Sequence, residues 1–156
     1  MVTLVPMTSD EWARWRHGSI RDYAADKVRI GAWPEAGAVA RATAEFSEIL
    51  PEGQATRRHD FRVARNDAGE AVGVLWFAWS DTTDPRTAFI WDIAVEPAFR
   101  GRGYGRAVLE ALEPIARALG CVAIRLHVFG DNEVARNLYR TSGYIETDVS
   151  MVKRLD

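Results

Sequence analysis

The densest chemistry in this chain sits in one run, Arg100-Gly101-Arg102-Gly103-Tyr104-Gly105-Arg106. Glycine tolerates positive φ and lets the backbone approach a ligand closely. The run precedes an apolar-periodic stretch that reads as a helix, and a helix start offers unpaired N–H groups and a positive dipole end. Together these suit a pyrophosphate, and Arg100, Arg102 and Arg106 add positive charge. The dinucleotide fingerprint G-x-G-x-x-G is not met, because Arg106 takes its last glycine position. The Walker loop is excluded too, since the chain's lysines are Lys27 and Lys153. A plain strand-to-helix turn is the alternative reading of the glycines.

Three acid–base candidates lie close by in sequence. Asp92 is a carboxylate inside an otherwise apolar strand, where burial raises a carboxylate's pKa unless a partner offsets it. His127 lies in the next strand, and an imidazole can act as a base directly or through water. The two can share one face and pair, or each can make a local structural bond. Glu96, next to Pro97, is a third candidate and better suited to shaping a bulge. Cys121 follows Gly120 at a strand start and reads as a buried, inert thiol rather than a nucleophile. Trp33, Trp76 and Trp79 either pack the core or line a pocket. His59, after Arg57 and Arg58, is expected at the mouth of a hairpin, either simply exposed or touching acceptor or cofactor. Asp81 and Asp84 form a polar loop that can attract a cation or simply be solvated.

Two motifs at the right spacing carry a family resemblance. Asp92-Ile93-Ala94-Val95-Glu96-Pro97 followed by Arg100-Gly101-Arg102-Gly103-Tyr104-Gly105 resembles the cofactor motif of the GNAT acyltransferase superfamily. Arg100, Gly103 and Gly105 fill its pattern of Arg or Gln, two residues, Gly, one residue, Gly or Ala. Downstream, Asn132-Glu133-Val134-Ala135-Arg136-Asn137-Leu138-Tyr139 with Gly143-Tyr144 resembles the family's second motif. The strand Ile124 to Val128 stands where the family places its fifth strand.

The resemblance implies an N-acetyltransferase that uses acetyl-CoA and no metal. Its acceptor would be a small-molecule amine or a protein amino group, attacking directly in a ternary complex. A non-catalytic acyl-CoA sensor is the alternative. Carried onto this chain, the amides of Arg102, Gly103, Tyr104 and Gly105, with Arg106, would hold the diphosphate, and Arg100 and Gly101 would shape the loop. Main-chain groups over Ile93, Ala94 and Val95 would meet the pantetheine arm, and one N–H would polarise the thioester carbonyl. Asn132 would contact the cofactor, and Tyr139 would be the acid that protonates the leaving thiolate. The base is Asp92 or His127. Dimers are common in similar proteins, so a homodimer is one expected state.

These groups need a scaffold. Leu4-Val5 suggests a first strand. Thr8 or Ser9 can cap a helix from about Asp10 to Gly31, with Trp12, Trp15, Ile20 and Tyr23 at roughly helical spacing. Pro34 suits the first turn of a second helix with Val39, Ala42, Phe46 and Ile49 on one side. A hairpin follows, with Asn66 to Gly69 as its turn and Val72 to Trp79 as its second strand. Thr87 to Val95 should be a central strand, with Phe89, Trp91, Ile93 and Val95 on one face and Ala88, Ile90, Asp92 and Ala94 on the other. A helix from Gly105 to Leu119 contains Pro114, which should bend it. Cys121 to Val128 reads as a strand, Asn132 to Thr141 as a helix, and Tyr144 to Leu155 as one or two closing strands. The order makes residues 1–156 a single α/β domain with a mixed, mostly antiparallel sheet flanked by helices. The family likeness adds a splay between its central parallel strands.

Composition narrows the classes further. Apolar residues make up 47 % and the formal net charge is -2, which provides a core but no basic surplus for nucleic acid. No apolar run approaches the ~20 residues of a membrane helix, and the first residues lack an apolar signal core. With one cysteine and three scattered histidines, no zinc spacing or internal disulfide arises. A cytoplasmic protein is expected.

Overall fold

The computed structural model describes residues 1–82 and 85–155. The chain divides into two compact units, Met1–Leu126 and His127–Asp156. The first contains a five-stranded sheet in the order β1 (Thr3–Pro6), β2 (His59–Arg65), β3 (Ala71–Trp79), β4 (Thr87–Val95), β5 (Ala123–Leu126). Neighbours are antiparallel except β4 and β5, which are parallel. The fold is therefore mixed α/β, as the element order predicts.

Helix α1 (Ser9–Arg29) starts at a capping box: Thr8 Oγ1 accepts from the Glu11 amide and the Glu11 carboxylate accepts from the Thr8 amide. Helix α2 (Ala38–Ile49) begins later than Pro34 suggests. Gly37 stands before it at φ 78°, a left-handed conformation that cannot continue a helix upstream. Its buried face is Ala38, Ala42 and Phe46, while Val39 is exposed. Both helices enclose an aromatic core with one face of the sheet: Trp15, Phe46, Phe61 and Trp76 form one buried cluster with Trp33, Ile20 and Val63. Burial of such side chains contributes about 1.5–3 kcal/mol each. Helix α3 (Tyr104–Ala118) runs unbroken through Pro114, packs against β1, β3, β4 and β5, and buries Val108, Leu109 and Leu112.

Strand β4 departs from simple alternation. Its register with β3 passes from Trp76↔Asp92 to Phe77↔Ile90, so Trp91 is an inserted residue. Such a bulge bends the strand and re-aims its side chains. The parallel ladder with β5 ends at Ile90↔Leu126, at the edge of this bulge, while β4 continues to Val95. Strand β5 is accordingly shorter than expected, and His127 follows it rather than lying within it.

In the second unit, α4 (Glu133–Thr141) is capped by Asn132, whose Oδ1 accepts from the Ala135 amide at 3.1 Å. The closing strands expected over 144–155 are absent among the described residues. A strand needs a partner for its N–H and C=O groups, and the described residues of this unit form no strand. The chain after α4 is tied down by Glu146, which accepts from Arg136 and Arg140 at 2.9 Å each.

Candidate active site

The glycine run has the conformation its composition requires. Gly101 and Gly103 sit at φ 72° and 84°, and a Cβ on either would meet open space. Gly103 is the N-cap of α3 and contributes no side-chain hydrogen bond. The helix ladder begins only where the Ala107 amide donates to the Gly103 carbonyl, at 3.1 Å. The amides of Tyr104 and Gly105 therefore have no acceptor within their own helix. Phe99 braces the loop, edge-on to Tyr104 at 5.8 Å and beneath the Arg102 guanidinium at 5.7 Å.

The same loop is tied to the end of β4: Arg100 Nε donates to the Val95 carbonyl at 3.0 Å. That carbonyl is accessible because of the ladder's phase. The Glu96 amide bonds the Val72 carbonyl at 2.9 Å, and antiparallel pairs alternate between bonded and non-bonded. Ala94 and Asp92 then bond across to Val74 and Trp76, while Ile93 and Val95 turn their main-chain groups to the opposite edge. Among the described residues that edge has no ladder partner beyond Ile90. Room here depends on Gly73, opposite Val95, where a Cβ would lie 2.5 Å from the Ala94 carbonyl oxygen.

Asp92 is held from the α1 side. Trp15 Nε1 donates to its Oδ2 at 2.8 Å and Ser19 Oγ donates to the same atom at 3.3 Å. Trp91 meets that side as well, stacked on Trp76 at 5.2 Å and 18°. The expected division of β4, with Trp91 and Asp92 on opposite faces, thus fails at the bulge, which brings consecutive residues to one aromatic cluster. Burial pushes the Asp92 carboxyl above the usual carboxylate range; the bonds from Trp15, Ser19 and the Ile93 amide pull it back in part, and the nearby Asp22 charge adds to the rise.

The remaining expected site residues belong to the second unit. His127 is exposed, with its ring edge-on to Phe129 at 5.5 Å. Asn132 spends its carbonyl oxygen on the α4 cap. Tyr139 is half-buried, its ring 5.7 Å from Tyr144.

Other candidates resolve into structure. Trp33 and Trp76 are core residues, and Trp79 packs near Phe77. Asp81 is paired with Arg58 and Arg86, whose charges meet its own, so the loop's carboxylate is already neutralised. Asp84 lies outside the described residues. Cys121 is buried, and burial pushes its thiol pKa up, which leaves it a poor nucleophile. Among the described residues no group of three or more His, Cys, Asp or Glu is placed to hold a metal ion, and no helix is long and apolar enough to cross a membrane.

Two residues stand differently from what the sequence suggests. Trp91 is 43 % exposed although it carries a large apolar ring. His59 is half-buried rather than exposed, and its Nδ1 accepts from Trp76 Nε1 at 3.0 Å. Neither carries a sequence signal, because one depends on a bulge and the other on a cross-strand neighbour.

Comparison with known proteins shows the family and the fold. The sequence profile of the Acetyltransferase (GNAT) family covers residues 13–144. The uncharacterized N-acetyltransferases YycN and YdgE of Bacillus subtilis (strain 168) are 34 % and 35 % identical over 154 residues, covering 99 % and 98 % of both chains respectively. A crystal structure of the Bacillus subtilis YycN acetyltransferase superposes with a TM-score of 0.95 over 99 % of each chain. The fold also matches AAC(6')-Iy in complex with a CoA bisubstrate analogue, at TM-score 0.61 and 20 % identity over 100 % of this chain and 99 % of that one. With a profile spanning most of its length and full-length relatives above 30 % identity, this chain belongs to the GNAT family of N-acetyltransferases.

Proposed function

We propose that the protein moves an acetyl group from acetyl-CoA to the nitrogen of a primary amine by direct attack, as one acetyltransferase domain. The observation that carries this reading is the α3 entrance. Two left-handed glycines precede amides without intrahelical acceptors, directly after a strand that runs on to Val95 while its ladder with β5 stops at Ile90. The first feature suits a diphosphate. The second suits the amide-bearing pantetheine arm, and a main-chain N–H there can stabilise the developing oxyanion. Residues Arg100, Gly101, Arg102, Gly103, Tyr104, Gly105 and Arg106 are the proposed diphosphate loop, and Asn132 is a further proposed contact.

Acetyl-CoA supplies an activated thioester carbonyl. A base must first take a proton from the acceptor's ammonium. Asp92 is suited to this, because burial raises its proton affinity, a rise that the bonds from Trp15, Ser19 and the Ile93 amide offset only in part; His127 is the other proposed base. The amine nitrogen then bonds the carbonyl carbon, the C–S bond breaks, Tyr139 is the proposed donor of the proton that the thiolate receives, and the nitrogen's second proton returns to the tyrosinate as the amide forms. The AAC(6')-Iy complex, with its CoA–aminoglycoside-type analogue, supports a small-molecule amine as acceptor.

The test is twofold. Calorimetry should show saturable binding of acetyl-CoA to the folded protein. A free-thiol assay across small amines and peptide N-termini should then identify an acceptor that drives CoA release. Absence of acyl-CoA binding would refute the proposal; binding without turnover on any amine would refute the transferase step.

A further inference from the structure

Trp76 is buried at 2 % exposure, and its indole N–H can only donate. It donates to His59 Nδ1 at 3.0 Å. Nδ1 must therefore present its lone pair, so the neutral imidazole carries its hydrogen on Nε2. Protonating Nδ1 would set one N–H against another, and burial also lowers the pKa of this ring. His59 is thus locked as an uncharged donor through Nε2, which has no partner among the described residues. Its ring lies 5.8 Å from Trp76 and 6.4 Å from Trp91.

Beside it is the bulge residue Trp91, 43 % exposed and stacked on Trp76, with Phe89 edge-on at 5.1 Å. An exposed indole on a rigid aromatic stack is a platform for a flat or apolar body. Asp92, the next residue of β4, reaches the same aromatic cluster. The chemistry of the three groups is ordered: a neutral donor, an aromatic shelf, a carboxylate. An ammonium has no use for the donor end, since it offers hydrogens only. It suits the carboxylate end.

The geometry points to His59 and Trp91 as the acceptor-recognition patch of the enzyme, selecting an amine with an aromatic body and an oxygen that accepts a hydrogen bond from His59 Nε2. This rests on the acetyltransferase reading for its use, but its test separates from that reading.

The probes are tyramine, phenethylamine and butylamine. Binding is read first, by following the indole ¹⁵N–H signal of Trp91, assigned with Trp91→Phe. Tyramine should shift that signal more strongly than phenethylamine, and butylamine should not shift it. Turnover with saturating acetyl-CoA should rank the amines in the same order, with tyramine about tenfold above butylamine in kcat/KM, a difference of about 1.4 kcal/mol. Asn at position 59 can still accept from Trp76 but has no atom at the Nε2 position. His59→Asn should therefore erase the tyramine over phenethylamine preference through KM while the melting temperature and acetyl-CoA affinity hold. His59→Gln, which restores an outer N–H, should recover it in part. Trp91→Ala should remove the aryl over alkyl preference.

Imidazole ¹⁵N shifts should show His59 bare at Nδ1 and protonated at Nε2. An Nδ1–H tautomer, an imidazolium at neutral pH, or a Trp91 signal indifferent to all three amines overturns the patch. If acetyl-CoA fails to bind, the acetyltransferase reading falls, and the Trp91 titration still decides whether the patch binds such amines.

Discussion

At the residue scale, Asp92 joins structure and chemistry in one side chain. Its carboxyl is pinned by Trp15 and Ser19 and raised by burial. A carboxyl whose folded pKa exceeds its unfolded value keeps its proton longer in the native state. Stability is therefore lost as pH rises from the unfolded value through the raised folded one, and it stays reduced above. Asp92→Asn retains an oxygen for both donors and removes the buried charge. Its stability relative to wild type should improve steadily between about pH 4, near an unperturbed aspartate, and neutrality. Urea unfolding at both ends checks this; a pH-independent difference would mean that the charge is not penalised. If Asp92 is the base, the same variant should lose about 10²–10⁴ in kcat, the usual range for a general base, with acetyl-CoA affinity intact. Tyr139→Phe probes the other proton. It should lower kcat by about 10² or more for loss of a general acid and leave the acetyl-CoA Kd unchanged, as single-turnover kinetics and calorimetry would read. An unaltered rate removes tyrosine from the mechanism.

At the element scale, the strand β4 and the start of α3 act as one device, linked by Arg100 to the Val95 carbonyl. Two glycines set its shape for different reasons. Gly103 needs its left-handed backbone, and space around it is open, so Gly103→Val should cost about 1–2 kcal/mol of conformational strain yet leave a folded protein. Acetyl-CoA affinity should fall by about tenfold or more, equivalent to at least one well-placed hydrogen bond; calorimetry showing wild-type affinity would clear the loop of that role. Gly73 needs room. Its Cβ would press on the Ala94 carbonyl at 2.5 Å, so Gly73→Ala should push β4 aside at an overpacking cost of about 1–3 kcal/mol and weaken acetyl-CoA binding with it. A variant with wild-type melting temperature and affinity would show that the strand yields freely. The elements were readable from local patterns: the cap at Thr8 or Ser9, the Asn66 turn, and the stripe of Val108, Leu109 and Leu112 along α3. So was the glycine turn at the start of α3, because glycine spacing is itself the signal. The bulge at Trp91 was not, since alternation assigns faces by parity and an inserted residue depends on pairing with β3. The pairing of His59 with Trp76 escaped for the same reason, as did the end of β5, which is decided by where β4 turns away.

At the scale of the whole molecule, the proposed ligand contacts are mostly main chain, so no single side chain owns them. The amides of α3 are placed by its packing on four strands, and the β4 edge is placed by its ladder with β3. Unfolding that sheet destroys the proposed site, so ligand binding should stabilise the native state by mass action. At a free concentration of 100 times Kd the gain is about 2.7 kcal/mol. For a chain of this size each kcal/mol raises the melting temperature by about 2–4 °C, so a rise of about 5–10 °C is expected. Acetyl-CoA and free CoA should both produce it, because the diphosphate and pantetheine are common to them, whereas ADP, which lacks the pantetheine arm, should produce less. Gly103→Val should blunt all three responses together, while Tyr139→Phe should leave them intact, which separates holding the substrate from transforming it. Equal shifts from ADP and acetyl-CoA would place all the affinity on the α3 loop and leave the open edge of β4 without a role in binding.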